Sequence, residues 1–113
     1  SLLDNTVVLY ASEAGDGSHS GEWTPFLVFG GRNLGLTPGR YLKYAQDNPN
    51  PWGRNYRNEF TGTPHNQLYV SILRALGMDI DHFHATSIEG EAPHVRVTRT
   101  IDMSGPLARF GPT

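Results

Sequence analysis

The chain has 113 residues, 37% of them hydrophobic and 18% charged, with a formal net charge of −2, which suits one domain with a modest core. That balance excludes the basic footprint of a nucleic-acid-binding domain, and no apolar run is long enough to span a membrane. The absence of cysteine excludes disulfide scaffolds, Cys-ligated zinc and thiolate nucleophiles, while 13 glycines and 8 prolines predict a loop-rich fold.

Val7-Val8-Leu9-Tyr10-Ala11 is a continuous apolar run rich in β-branched residues. It predicts a strand near 6–12, buried on both faces as in parallel sheets. Such a strand so close to the first residue leaves two expectations. Residues 1–113 form a single domain, or they are the C-terminal portion of a larger α/β domain. A polar, glycine-rich loop follows, and then Pro25-Phe26-Leu27-Val28-Phe29-Gly30-Gly31. This predicts a second buried strand near 25–30, with Pro25 at its first position. Leu36 to Arg40, with Pro38 and Gly39 central, predicts a type II turn. Arg40 to Tyr44 reads as a short strand with Tyr41 and Lys43 on one face and Leu42 and Tyr44 on the other. Residues 46–62 form a Pro- and Asn-rich loop, of a length that is often functional.

One helix is predicted near 64–76. Thr63 can cap it, and Pro64 suits the first helical position. Leu68, Ile72 and Leu76 form a stripe four residues apart, widened by Leu73 and Ala75. Gly77 stands where a left-handed C-terminal cap belongs. Met78 to His84 is a link or a short strand. Alternation from His94 to Ile101 predicts a late strand near 94–101, with an exposed edge. Ser104 onward reads as a loosely held tail. The order predicts an α/β layer, with an all-β module as the alternative.

Three kinds of chemistry suggest themselves. Glu13, Asp16 and His19 share the first loop, at the end of a strand, where ligands commonly lie in open α/β sheets. They fit a divalent metal, zinc if the imidazole takes part and calcium if only oxygens do. The plain alternative is a solvated loop. His82 and His84 face one side if their segment is extended, and Asp79, Asp81 and His94 could join them; a polar linker with incidental histidines competes. His65 reads as a surface residue in the first helical turn. Trp23, Trp52, Tyr41, Tyr44 and Tyr56, with Arg32, Arg40, Arg54 and Arg57, suggest a sugar or anion cleft. Arg54, Arg57 and Trp52 on the long loop are its best candidates, and the alternative is that the aromatics cover the core. No nucleophile elbow or phosphate-cradling P-loop is present.

Several of these stretches together carry a likeness to a known group. Leu3-Asp4-Asn5-Thr6 leading into Val7 to Glu13, His19-Ser20-Gly21-Glu22 leading to Pro25 and Gly30, and Thr63-Pro64-His65-Asn66 followed by a helix ending Leu76-Gly77 resemble the C-terminal part of the alkaline phosphatase and sulfatase superfamily. With Ser12-Glu13, Gly15, Gly17, Ser18-His19-Ser20, Gly30-Gly31 and Gly39 to Tyr44, the chain is most similar to secreted bacterial proteins of unknown function distantly related to that superfamily. The likeness covers about residues 2–84. It implies an α/β fold, secretion or a periplasmic location, and metal-dependent hydrolysis of phosphate or sulfate esters, with His19 and Glu13 as inherited ligands. Two departures stand out. The superfamily's Asp-His pair after the first strand is Glu13-Ala14 here, and its nucleophile segment is not among these residues. The resemblance therefore also allows a catalytically silent binding or structural subunit that needs another chain, or the remainder of a larger polypeptide. An extracellular carbohydrate-binding module remains the third reading.

Overall fold

The computed structural model describes residues 1–12, 25–44, 63–91 and 98–111. Among them lie two antiparallel hairpins and one helix, a mixed α/β arrangement rich in loops, as expected. Strand β1 (Val7–Ala11) pairs with β2 (Phe26–Gly30), α1 covers His65–Ala75, and β3 (Ser87–Glu91) pairs with β4 (Thr98–Asp102).

The first two strands stand where the apolar runs predicted them, but their setting differs. Their register, from Val7 opposite Gly30 to Ala11 opposite Phe26, is antiparallel, not parallel. Nor are they buried on both faces. Val8, Tyr10, Leu27 and Phe29 are 45%, 68%, 53% and 49% exposed. The pleat sends these four to one face, because directly opposed residues share a face and neighbours alternate. Val7, Phe26 and Val28 on the other face are half-buried. A two-stranded ladder cannot enclose apolar side chains on both its faces, so burial fails where no second layer covers it.

A 3₁₀ turn over Leu2–Asn5 leads into β1, and a second over Arg32–Leu34 follows β2. The Leu3 carbonyl oxygen accepts from the amides of Thr6 and Gly31, at 3.2 and 3.1 Å. One backbone acceptor thus ties the start of the first strand to the end of the second.

Helix α1 starts one residue later than predicted. Pro64 is its N-cap rather than its first helical residue. Its C-terminus is a Schellman motif. The Met78 amide donates to the Leu73 carbonyl and the Gly77 amide to that of Arg74, with Gly77 at φ +91°. A left-handed residue is needed there, and glycine adopts it without a Cβ clash. The buried side differs from the predicted stripe. Leu68, Val70 and Ser71 are buried, Ile72 is half-buried, and Leu76 is exposed. Among the described residues, the buried apolar side chains are Leu36, Leu68, Val70, Met103 and Leu107.

Two of those five belong to the end of the chain, so the tail is not loosely held. The Leu107 amide donates to Ser71 Oγ at 2.7 Å and to the Gln67 carbonyl at 3.1 Å. Gln67 Nε2 donates to the Ser104 carbonyl at 3.1 Å. The segment 103–111 lies along α1 through side chains that meet its backbone.

Residues 40–44 form no strand, although the expected alternation of exposure is there. Tyr41 and Lys43 are exposed while Leu42 and Tyr44 are half-buried. Gly39 has φ +72°, as the third residue of a type II turn requires. The late strand runs over Thr98–Asp102, and residues 94–97 of the predicted span lie outside the described residues. Its partner β3 is unforeseen. Ser-Ile-Glu-Gly-Glu carries little β-propensity, and pairing supplies what composition lacks.

After β4 the chain turns on Asp102. Its Oδ1 accepts from the Ser104 amide at 2.9 Å and from the Ser104 hydroxyl at 2.6 Å. These bonds, hydroxyl first, hold the carboxyl below its ordinary range. A depressed folded value means stability that is present above the unfolded value and lost as pH falls through the folded one. The melting temperature of wild type should therefore exceed that of Asp102→Ala at pH 7. The gap should close as pH falls below about 4, where carboxylates protonate. A gap that persists unchanged to about pH 2 would remove the carboxylate from this turn.

Candidate functional site

Glu13, Asp16 and His19 lie outside the described residues, as do Trp52, Arg54 and Arg57. What the structure does describe is the frame of the loop that carries the first three. Ala11 and Phe26 are paired, so the connection 12–25 is closed at its base by the last rung of a ladder. Opposed Cα atoms in such a rung are about 5 Å apart. Three residues with metal-ligand chemistry therefore share one hairpin connection.

Helix α1 comes to the same end of the hairpin. The His65 ring meets the Phe26 ring edge-on, with centroids 4.8 Å apart and planes at 78°. His65 is exposed overall, but burial of the ring pushes its imidazole below its ordinary value. The reading of His65 as a plain surface residue thus missed a contact. The sequence distance from Phe26 to His65 left no local pattern that could have shown it.

The second group of histidines does not assemble. His82 Nδ1 lies 2.7 Å from Asp81 Oδ1 in an exposed pair, and that bond to His82 holds the Asp81 carboxyl below its ordinary range. His84 adopts φ +67° in a tight turn bridged by Phe83 and Ala85, which breaks the alternation that would set both rings on one side. His94 lies outside the described residues. Among the described residues, no group of three His, Asp or Glu side chains is placed to hold a metal ion.

Of the described cleft candidates, Arg40 and Tyr44 have structural duties. Arg40 spends its guanidinium on backbone carbonyls: Nε donates to Thr37 at 3.0 Å, and the two terminal nitrogens donate to Arg109 at 2.7 Å and Phe110 at 2.8 Å. The Tyr44 hydroxyl donates to the Ala108 carbonyl at 2.6 Å. The Arg109 guanidinium lies 5.2 Å from the centre of the Tyr44 ring. Burial pushes the Tyr44 phenol up against the opposing pull of Arg109 and Arg40. Arg32 faces Asp4 at 4.0 Å, and Tyr41 projects into solvent. Arg40 and Tyr44 fasten the tail. Trp23 and Tyr56 lie outside the described residues.

Among the described residues, no helix is long and apolar enough to cross a membrane. Comparison with protein-family models, with curated proteins and with solved structures gave no match.

Proposed function

We propose that this chain is the C-terminal portion of a secreted, alkaline phosphatase/sulfatase-like bacterial protein. In this reading, the loop between β1 and β2 holds a divalent cation in a site for phosphate or sulfate esters. The observation that supports the reading is the Ala11–Phe26 rung, which closes the base of the connection in whose sequence Glu13, Asp16 and His19 stand; the resemblance marks two of these residues as ligands. Two carboxylates and one imidazole make a donor set suited to zinc, and the carboxylates with backbone carbonyls would suit calcium.

A bound cation would supply Lewis-acid polarisation of an ester oxygen. The chain's own contribution is narrower. Glu13 and Asp16 bring negative charge, His19 brings a neutral nitrogen donor, and the ladder fixes both ends of the segment that carries them. Arg54 and Arg57, with Trp52 beside them in sequence, are the groups we assign to oxyanion and substrate contact, because guanidinium pairs with tetrahedral oxyanions through two parallel bonds. The nucleophile comes from elsewhere in the polypeptide or from a partner chain. The exposed face of Val8, Tyr10, Leu27 and Phe29 supports such a neighbour, since apolar faces of this kind mark interaction surfaces.

The replacement of the superfamily's Asp-His pair by Glu13-Ala14 favours a second reading, a catalytically silent subunit that keeps the layer and binds through it. Metal content of protein purified without chelator or added metal tests the first. It should approach one divalent ion per chain in wild type and be lost in His19→Ala. A metal-free wild type sinks the metal reading. Metal binding without turnover of generic phosphate and sulfate esters, once the partner chain is supplied, leaves the silent subunit.

A further inference from the structure

We propose that α1 and residues 36–44 form a peptide-binding groove, and that residues 106–111 are its built-in occupant. The external ligand it takes is a polypeptide segment of the same chemistry, a leucine followed two positions on by an arginine. This inference is independent of the loop between β1 and β2.

The body of the protein meets the occupant through the occupant's backbone. Ser71 is polar yet fully buried, and a buried hydroxyl is kept where a partner meets it. Its Oγ accepts from the Leu107 amide at 2.7 Å, and the Gln67 carbonyl accepts from the same amide at 3.1 Å. Two side chains then take the next three carbonyls in succession. The Tyr44 hydroxyl donates to Ala108 at 2.6 Å, and the terminal nitrogens of Arg40 donate to Arg109 at 2.7 Å and to Phe110 at 2.8 Å. Arg40 is aimed for this by its own Nε, which donates to the Thr37 carbonyl at 3.0 Å.

In peptide recognition, main-chain bonds of this kind supply affinity and side-chain pockets supply specificity. Leu107 is the buried side chain within 106–111 and serves as the anchor. Arg109 places its guanidinium 5.2 Å from the centre of the Tyr44 ring, within reach of cation–π attraction. Leu36 bounds the far end, where a Cβ at Gly111 would lie 3.0 Å from its Cδ2. An attached occupant competes at an effective concentration on the order of mM. An external segment therefore binds wild type only in proportion to the fraction of molecules whose groove is open.

Two substitutions open the groove and leave its walls unchanged. Leu107→Ala removes the anchor. Gly105→Pro acts at the base of the segment. Gly105 has φ +78° and its amide donates to the Asp81 carbonyl at 2.6 Å, and proline can supply neither that angle nor that bond.

The test is fluorescence anisotropy of a labelled peptide, Ser-Gly-Pro-Leu-Ala-Arg-Phe-Gly-Pro-Thr, the sequence of residues 104–113, titrated with the 113-residue chain. Circular dichroism checks that each variant is folded. Affinity should rise at least about tenfold over wild type in both opened variants. It should fall back when Arg40→Ala is added, and be lost for a peptide with alanine in place of its leucine. Folded opened variants that leave the peptide unbound, or bind it within about twofold of wild type, overturn the proposal, as does binding indifferent to the peptide's leucine. Unfolding of both opened variants overturns it too, since a displaceable occupant leaves a folded body behind.

Discussion

Gly30→Ala is expected to destabilise the protein by at least about 3 kcal/mol, the range reserved for backbone clashes and strained φ/ψ. Two costs combine at this position. Gly30 has φ +83°, where a Cβ costs roughly 1–2 kcal/mol. A Cβ built there would also lie inside contact distance of the Thr6 carbonyl oxygen, 2.5 Å from the Leu3 carbonyl oxygen and 2.9 Å from Leu3 Cδ1. Backbone oxygens cannot swing aside as a side-chain end can. The Leu3 oxygen is also the acceptor for Thr6 and Gly31, so moving it disturbs both bonds. Gly39→Ala is the control. It shares the left-handed conformation, at φ +72°, but nothing lies within 4 Å of its added Cβ, so about 1–2 kcal/mol is expected. Urea unfolding of the two variants checks the difference. Equal losses would mean that the first 3₁₀ turn does not pack on the end of β2.

The contrast between those glycines reflects how much of the molecule was legible in its sequence. Local signals were sound. Apolar runs located β1 and β2, and Gly77 marked the end of α1, because strand and cap preferences act within a few residues. Burial was not legible. Val8 and Phe29 are as apolar as any core residues, yet whether they are covered depends on a second layer that composition cannot name. The tail was misread for a related reason. Ser104-Gly105-Pro106 has the composition of a loop, and its anchors, Gln67, Ser71, Arg40 and Tyr44, are remote in sequence. Ser71 is the clearest case. A serine on the buried side of a helix breaks the apolar stripe, and only the Leu107 amide explains it. For the candidate site, spacing and resemblance singled out Glu13, Asp16 and His19, and the register of the hairpin shows only that their loop is closed at its base. The contact of His65 with Phe26 was not legible, because the two residues belong to elements far apart in sequence.

Leu107→Ala should be the other severe substitution, at about 3 kcal/mol, within the roughly 2–5 kcal/mol observed for buried leucines. Leu107 is 8% exposed and lies on a segment with no regular structure, so its side chain, with that of Met103, is an apolar anchor of the last stretch of chain. A domain of this size has about 5–15 kcal/mol in total, so the loss would be a large share. Two milder variants separate packing from polar contacts. Ser71→Ala removes the hydroxyl that accepts from the Leu107 amide, but the Gln67 carbonyl still accepts that amide at 3.1 Å, so about 1 kcal/mol is expected. Arg40→Ala removes three bonds to carbonyls at an exposed side chain, where water replaces them and the loss should again be about 1–2 kcal/mol. The expected order is Leu107→Ala well above the other two, read from urea midpoints, with faster amide exchange at Leu107 in all three. If Ser71→Ala or Arg40→Ala proved the more damaging, polar contacts rather than apolar burial would hold the tail. In that case its composition would have been a fair guide to how loosely the apolar part is packed.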